Sequence, residues 1–109
     1  DDGLWALDSI GRTLTRFSKT GERLHSLAVT GKMAFPVAFA MDSTGQFYLL
    51  DRHDGKVVVL NRQGKFSYEF LLQGKRQGQL WYPSGLLLDW AGRLCVANEG
   101  NGRIDLYGR

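Results

Sequence analysis

The residues with the clearest chemical potential in this sequence are cations and aromatic rings near predicted turns. The candidates for a binding surface are Arg52, His53, Lys56, Lys75, Arg76, Trp90 and Arg93. Cationic side chains hold phosphates, and the neighbouring Trp81 and Tyr82 rings could stack on bases. Trp90, in a predicted turn, is the better candidate for an exposed contact residue. The alternative is a solvated rim of mixed charge with the aromatic rings packed between sheets. The net charge of +3 is modest and its signs are interleaved, which favours this alternative over a dedicated polyanion site.

A second group consists of Asp8, Asp51 and Asn98, each of which follows an apolar run and precedes a turn. Arranged around a common axis, such groups could hold a cation or a polar ligand. Asp and Asn side chains more often accept backbone N–H bonds and close the turn they begin. We therefore interpret these three as structural residues. We also interpret Asn101 and Arg103 in the last turn as structural residues. For Lys56, a structural role is the alternative to a binding role.

The residues that most often build metal or covalent catalytic sites are scarce. The sequence has two histidines, His25 and His53, and one cysteine. A catalytic zinc ion needs three protein ligands around an open position, which two separated histidines do not supply. Cys95 lies in an apolar run, so we expect a buried and unreactive thiol. The sequence thus predicts no cofactor, no metal site and no enzyme activity.

Two segments of the chain have the same internal spacing. Pro36 precedes Asp42 by six residues and Gly45 by nine, and Pro83 stands in the same relation to Asp89 and Gly92. The segment from Gly45 to Asn61 also matches the segment from Gly92 to Gly108, and a weaker copy begins at residue 2. The offsets of 43 and 47 residues differ by four, which places a loop insertion at 75–78. Four short apolar runs per period of this length are typical of β-propeller blades.

The last copy resembles the NHL repeat family. It contains Gly74-x3-Gly78-Gln79-Leu80-x2-Pro83-Ser84-Gly85, followed by Asn98-x2-Asn101-x-Arg103-Ile104. The middle copy has Asp54 and Lys56 where the pattern has Asn and Arg. The resemblance implies a propeller that binds protein or RNA, in a family that also includes lyases. The predicted fold class is all-β: an NHL-type β-propeller segment of antiparallel four-stranded blades that form an incomplete ring.

The resemblance divides the chain into the last three strands of one blade (1–31), a complete blade (32–80) and the first three strands of a third blade (81–109). The predicted strands are Leu4–Leu7, Leu14–Phe17, Arg23–Ala28, Val37–Met41, Phe47–Leu50, Val57–Leu60, Phe66–Leu72, Leu86–Leu88, Leu94–Ala97 and Ile104–Tyr107. Ten strands are too few for a closed ring. Open edges and apolar faces on the end blades favour association, so we expect further blades or a protein partner rather than a free monomer.

The function that this pattern favours is a non-catalytic scaffold that binds protein through propeller loops and faces. The first alternative is an RNA-binding propeller, and the second is part of a propeller lyase or hydrolase whose ligands lie on other blades. The sequence contains no apolar run long enough for a membrane helix. It begins with Asp1 rather than Met, which together with the family resemblance favours a secreted or periplasmic location.

Overall fold

The computed structural model describes residues 3–29 and 32–108, and their regular structure is almost entirely β. The strands are β1 (Leu4–Asp8), β2 (Thr13–Phe17), β3 (Arg23–Ala28), β4 (Pro36–Met41), β5 (Phe47–Asp51), β6 (Lys56–Leu60), β7 (Phe66–Phe70), β8 (Leu72–Gln73), β9 (Gln79–Leu80), β10 (Gly85–Leu88), β11 (Leu94–Asn98) and β12 (Arg103–Tyr107). A short 3-10 helix spans Glu99–Asn101.

The strands form three antiparallel meanders. The first sheet is β1–β2–β3, the middle sheet is β4–β5–β6–β7 and the last sheet is β10–β11–β12. These sheets do not close a ring. The predicted all-β, antiparallel fold class is confirmed. The division at 1–31, 32–80 and 81–109 stays a prediction.

Most strands begin or end one residue beyond their predicted bounds, and one strand is two residues shorter than predicted. The strand predicted at 66–72 ends at Phe70, because Leu71 adopts a left-handed φ of 70°. The chain then makes a separate parallel pair, in which Leu72 lies opposite Gln79. The pair encloses the insertion predicted at 75–78, so the insertion forms a loop with its own two-stranded base.

A recurring turn joins consecutive strands at one end of the sheets. In each copy a side-chain oxygen accepts the N–H groups two and four residues later, as Asp42 does from Thr44 and Gln46 at 2.9 and 3.0 Å. The glycine three residues after the acceptor has φ between 79° and 90°, a region that other residues rarely adopt. The acceptor–glycine pairs are Ser18–Gly21, Asp42–Gly45, Asn61–Gly64 and Asp89–Gly92. The spacing shared by Asp42 and Asp89 in the sequence reflects this turn.

The middle sheet is packed on both faces. Leu49 and Val58 belong to an apolar cluster shared with the first sheet, and Leu50 and Val59 belong to a second cluster shared with the last sheet. Successive strand residues point to opposite faces, so every residue of β5 is buried. The nearly continuous apolar runs of β5 and β6 therefore reflect burial between two neighbouring sheets.

The outer face of the last sheet is open. Cys95 pairs with Leu87 on one side and Leu106 on the other, and cross-strand partners share a face. Leu87 and Leu106 are 56% and 55% exposed. Cys95 itself is half-buried. The prediction of a buried thiol is therefore wrong for this chain, because no fourth layer covers this face among the described residues.

Candidate binding rim

Five of the seven candidate binding residues lie at one end of the middle and last sheets. This surface, the Asp51 rim, consists of the turn 51–56, the connection 71–84 and the turn 98–103. Arg52, His53 and Lys56 lie in the first of these segments, and Lys75 and Arg76 lie in the second. Trp90 and Arg93 lie at the opposite end of the last sheet. The structure thus brings together five of the candidates and separates two.

Asp51 and Asn98 anchor the Asp51 rim from within. The carboxylate of Asp51, which is fully buried, accepts backbone N–H groups of Ala34, Phe35, His53 and Asp54 at 2.6 to 3.2 Å. It therefore ties the segment before β4 to the turn after β5. Charge-assisted bonds of this kind are roughly twice as strong as neutral ones.

Asn98 makes the corresponding connection in the last sheet. Its Oδ1 accepts the Trp81 N–H at 2.9 Å, and its Nδ2 donates to the Gln79 carbonyl at 2.8 Å. Trp81 precedes Asn98 by 17 residues, the same separation as between Ala34 and Asp51. Asp8, at the equivalent position of the first sheet, is exposed and accepts only the N–H groups of Ile10 and Gly11 among the described residues.

Arg52 joins the middle sheet to the last. Its Nη1 lies 3.1 Å from the Tyr82 carbonyl oxygen and 3.3 Å from that of Pro83. The same nitrogen lies 3.2 Å from Glu99 Oε1, and the guanidinium carbon is 5.7 Å from the Tyr82 ring centroid. Glu99 follows Asn98 just as Arg52 follows Asp51, so the ion pair connects equivalent positions of two sheets.

The remaining rim cations have different surroundings. Lys56 Nζ lies 3.2 Å from Glu69 Oε1, and this ion pair connects β6 to β7. Lys75 lies over the Trp81 ring, with its Nζ 5.1 Å from the centroid. Within residues 3–29 and 32–108 no carboxylate pairs with Lys75 or Arg76. The insertion loop therefore carries the rim's available positive charge.

Arg103 and Asn101 hold the insertion loop against the last turn. Arg103 Nε donates to Asp105 at 2.8 Å, and its Nη2 donates to the Arg76 carbonyl at 2.9 Å. Asn101 Nδ2 donates to the Gly74 carbonyl at 3.1 Å. The side chains predicted to be structural in this turn thus fix the backbone that presents Lys75 and Arg76.

Two residues with left-handed backbone flank the insertion loop. Leu71 has φ 70° and Tyr82 has φ 48°. Such conformations cost about 1–3 kcal/mol for residues with a side chain, and they cluster at functional sites. Sequence reasoning noted Tyr82 beside the loop but missed Glu99 and its ion pair with Arg52. The 47-residue offset that aligns position 52 with position 99 was the signal that could have found it.

The other two candidates lie at the far end of the last sheet. Trp90 is 93% exposed, one residue after the turn-closing Asp89. Arg93 Nε lies 2.7 Å from Asp89 Oδ2. The backbone N–H of Arg93, together with its side chain and the Ala91 N–H, lowers the pKa of Asp89 and outweighs the opposing effect of burial. Arg93 thus forms its ion pair within its own turn. Among the described residues, the Trp90 side chain has no hydrogen bond or ring contact.

The histidines lie apart. The His25 ring meets the edge of Trp5 at 6.4 Å, and the His53 ring packs on Phe35 at 5.2 Å between centroids. No group of three potential metal ligands occurs in the part of the chain that the structure describes. No helix among those residues is long and apolar enough to cross a membrane.

The chain is similar in sequence to NHL repeat-containing protein 3. It is 26% identical to the Homo sapiens protein and 25% identical to the Mus musculus protein, over 126 aligned residues in each case. The alignments cover 98% of this chain and 35% of each relative. The chain thus spans about a third of the length of these relatives. No family model matches it.

Solved structures of similar fold include enzymes. A streptogramin B lyase superimposes with TM-score 0.69 and 17% identity, over 95% of this chain and 33% of its own. Glutaminyl cyclase of Myxococcus xanthus gives TM-score 0.70 and 14% identity, over 99% and 53%. At such identities the likeness extends to the β-propeller fold and not to catalytic residues.

Proposed function

We propose that this NHL-type β-propeller segment is a non-catalytic protein-binding module whose contact surface is the Asp51 rim. A rigid scaffold that displays aromatic and cationic groups from its loops is suited to recognition. Residues of this kind, Trp, Tyr and Arg above all, supply most of the energy in protein interfaces.

The observation that carries the proposal is the fixed placement of Tyr82. Its backbone is left-handed, its carbonyl accepts a bond from Arg52, and the residue as a whole is 42% exposed. The Trp81 ring meets it edge-on at 5.2 Å between centroids. An exposed ring already held in place loses little conformational freedom on binding, which favours affinity.

The pairing of charges favours a protein over RNA as the partner. Arg52 and Lys56 each face a carboxylate, and so does Arg93 at the other end. Binding to a phosphate backbone draws on several uncommitted cations. Lys75 and Arg76 provide two, which fits a partner with a few acidic side chains around an apolar anchor.

The open outer faces support a second part of the proposal. Leu87, Ile104 and Leu106 on the last sheet and Leu4 on the first sheet are all more than half exposed. Apolar area contributes about 25 cal/mol per Å² when it is buried. We infer that further protein, as additional blades or as a partner, covers these faces.

Site-specific photo-crosslinking tests the rim assignment. A photoreactive phenylalanine analogue replaces Tyr82 in one variant and Trp90 in the other, so that matched probes sit at opposite ends of the last sheet. We expect a saturable protein adduct from position 82 in cells of the native source. Arg52→Ala should reduce its yield at least about tenfold, because it releases the loop that positions the probe.

Each alternative has its own outcome in this experiment. An adduct that ribonuclease shortens would make RNA the partner. An adduct from position 90 but not from position 82 would move the surface to the other end. Stoichiometric metal in the purified complete protein would favour the lyase or hydrolase alternative.

A further inference from the structure

A carboxylate occupies a position of the last sheet that faces the apolar core. Asp105 in β12 lies opposite Val96 of β11, which is fully buried in the cluster between the middle and last sheets. Cross-strand partners share a face, and the Asp105 side chain is only 17% exposed. The equivalent residue of the middle sheet, 47 positions earlier, is the fully buried Val58. The last sheet thus has an acid where the middle sheet has an apolar side chain.

Both oxygens of this carboxylate accept hydrogen bonds. Oδ1 accepts Arg103 Nε at 2.8 Å, and Oδ2 accepts Asn98 Nδ2 at 2.8 Å and the Tyr107 hydroxyl at 3.3 Å. Burial, and after it the charge of Asp105, raises the pKa of Tyr107 to about 12, so this hydroxyl remains a donor at neutral pH. A buried ion pair is often no more stabilising than apolar residues of similar volume. Stability alone therefore does not account for an acid at this position.

Two of the donors to Asp105 also hold the insertion loop. Arg103 Nη2 donates to two carbonyl oxygens of the loop at 2.9 and 3.2 Å. Asn98 Nδ2 donates to the Gln79 carbonyl at 2.8 Å, and its Oδ1 accepts the Trp81 N–H at 2.9 Å. An ionised carboxylate accepts hydrogen bonds and does not donate them. Asp105 therefore keeps the Asn98 amide turned with Nδ2 toward the carboxylate and Oδ1 toward Trp81.

The middle sheet holds its own connection in a different way. Asp51 accepts the backbone N–H groups directly, and Lys56, which is equivalent to Arg103, pairs with Glu69. The last sheet has an amide, Asn98, at the end of the strand, and its carboxylate stands seven residues later. An amide donates as well as accepts, so it binds a loop carbonyl that a carboxylate would repel. The relocated charge thus suits the connection that carries the insertion.

We propose that Asp105 is a positioning residue of the Asp51 rim, which orients Asn98 and Arg103 so that the insertion loop is ordered before a partner binds. Among the described residues its hydrogen bonds go to these two side chains and to Tyr107, so it acts on the loop through them. A loop that is fixed in advance loses less conformational freedom on binding. The role in binding rests on the function proposed for the rim, whereas the effect on loop order does not.

Amide hydrogen exchange of Asp105→Asn, measured by NMR, tests the effect on the loop. Asparagine keeps the shape but places an NH₂ group where only donors converge, so at least one contact is lost. We expect exchange of the Gln79 and Trp81 N–H groups to accelerate about tenfold more than that of the β5 amides, which report global unfolding. Asp89→Asn is the matched control, because Asp89 pairs with Arg93 at the opposite end of the same sheet. It should leave loop exchange within about twofold.

The photoreactive probe at position 82 measures the consequence for binding. Asp105→Asn should lower the adduct yield about tenfold, and Asp89→Asn should leave it within about twofold. Loop amides that accelerate no more than the β5 amides would overturn the inference, and so would a loosened loop with an unchanged adduct yield. A parent protein without any adduct would contradict the rim function itself, and the exchange rates would then decide the role of Asp105. Asp105→Val, which copies Val58, takes the place of Asp105→Asn if that variant does not fold.

Discussion

Strands β5 and β11 occupy equivalent places in two sheets, yet their environments differ. Every residue of β5 is buried, whereas β11 alternates between buried and half-buried positions. Within residues 3–29 and 32–108, the middle sheet has a neighbour on both faces, and the last sheet has one on its inner face only. A repeated sequence pattern thus fixes the strand, while the neighbouring sheets decide how much each residue contributes to stability.

The largest expected contrast is between Val59 and Leu106, which are equivalent positions 47 residues apart. Val59 is fully buried and Leu106 is 55% exposed. Val59→Asn should lower the free energy of unfolding by about 4 kcal/mol, from lost apolar burial and an unsatisfied buried amide. Leu106→Asn should change it by less than about 1 kcal/mol. Urea denaturation at one fixed protein concentration measures both, and equal effects would contradict the comparison.

A second contrast concerns the strand-ending carboxylates. Asp51→Ala leaves four N–H groups without their acceptor in a buried site and should cost roughly 3 kcal/mol. Asp8→Ala is the matched control: Asp8 is exposed, water replaces its two bonds, and the cost should stay below about 1 kcal/mol. If the two variants melt alike, Asp51 does not tie the rim together.

The strand-ending residues also show what the sequence could predict. Repeat spacing identified Asp51 and Asn98 as turn-closing candidates, and short, nearly continuous apolar runs predicted the strands around them. Their bonds to segments 17 residues earlier depend on how the chain returns between sheets, which no local pattern specifies. The left-handed turns at Leu71 and Tyr82 escaped prediction for the same reason, since tertiary packing imposes them on residues that ordinarily avoid this region.

For Cys95, the sequence favoured burial because its neighbours in the chain are apolar. In the part of the chain that the structure describes, nothing covers the apolar outer face that Cys95 shares with Leu87 and Leu106. Whether an apolar strand face is inside or outside depends on the next sheet, and a strand sequence alone does not reveal that.

Acid titration tests the turn that recurs in the middle and last sheets, at the copy closed by Asp42. Burial opposes ionisation of Asp42, but bonds from Thr44, Gln46 and Tyr48 outweigh it and lower its pKa below 3.8. A lowered folded-state pKa gives stability that is complete above the unfolded pKa and is lost as the pH falls through the folded one. Asp42→Asn should therefore flatten the loss of stability below about pH 4. An unchanged acid slope, measured by urea denaturation at several pH values, would refute this role.

The last contrast concerns the labelling rates of thiols on the open and the buried face of β11. Native Cys95 should react without denaturant, because its sheet face is open. In a Cys95→Ser background, Val96→Cys places a thiol on the adjacent buried position, where labelling should require unfolding. Labelling rates with a chromogenic disulfide reagent test this, and equal rates at the two positions would contradict the open face.

The comparison of covered and open sheets rests on the claim that the uncovered faces of the outer sheets are association surfaces. Sedimentation velocity of the 109-residue chain across micromolar concentrations tests it most directly. We predict a concentration-dependent increase in sedimentation coefficient, which Leu106→Asn together with Ile104→Asn should reduce by removing apolar area. A well-folded monomer with a constant coefficient over the whole range would contradict the claim.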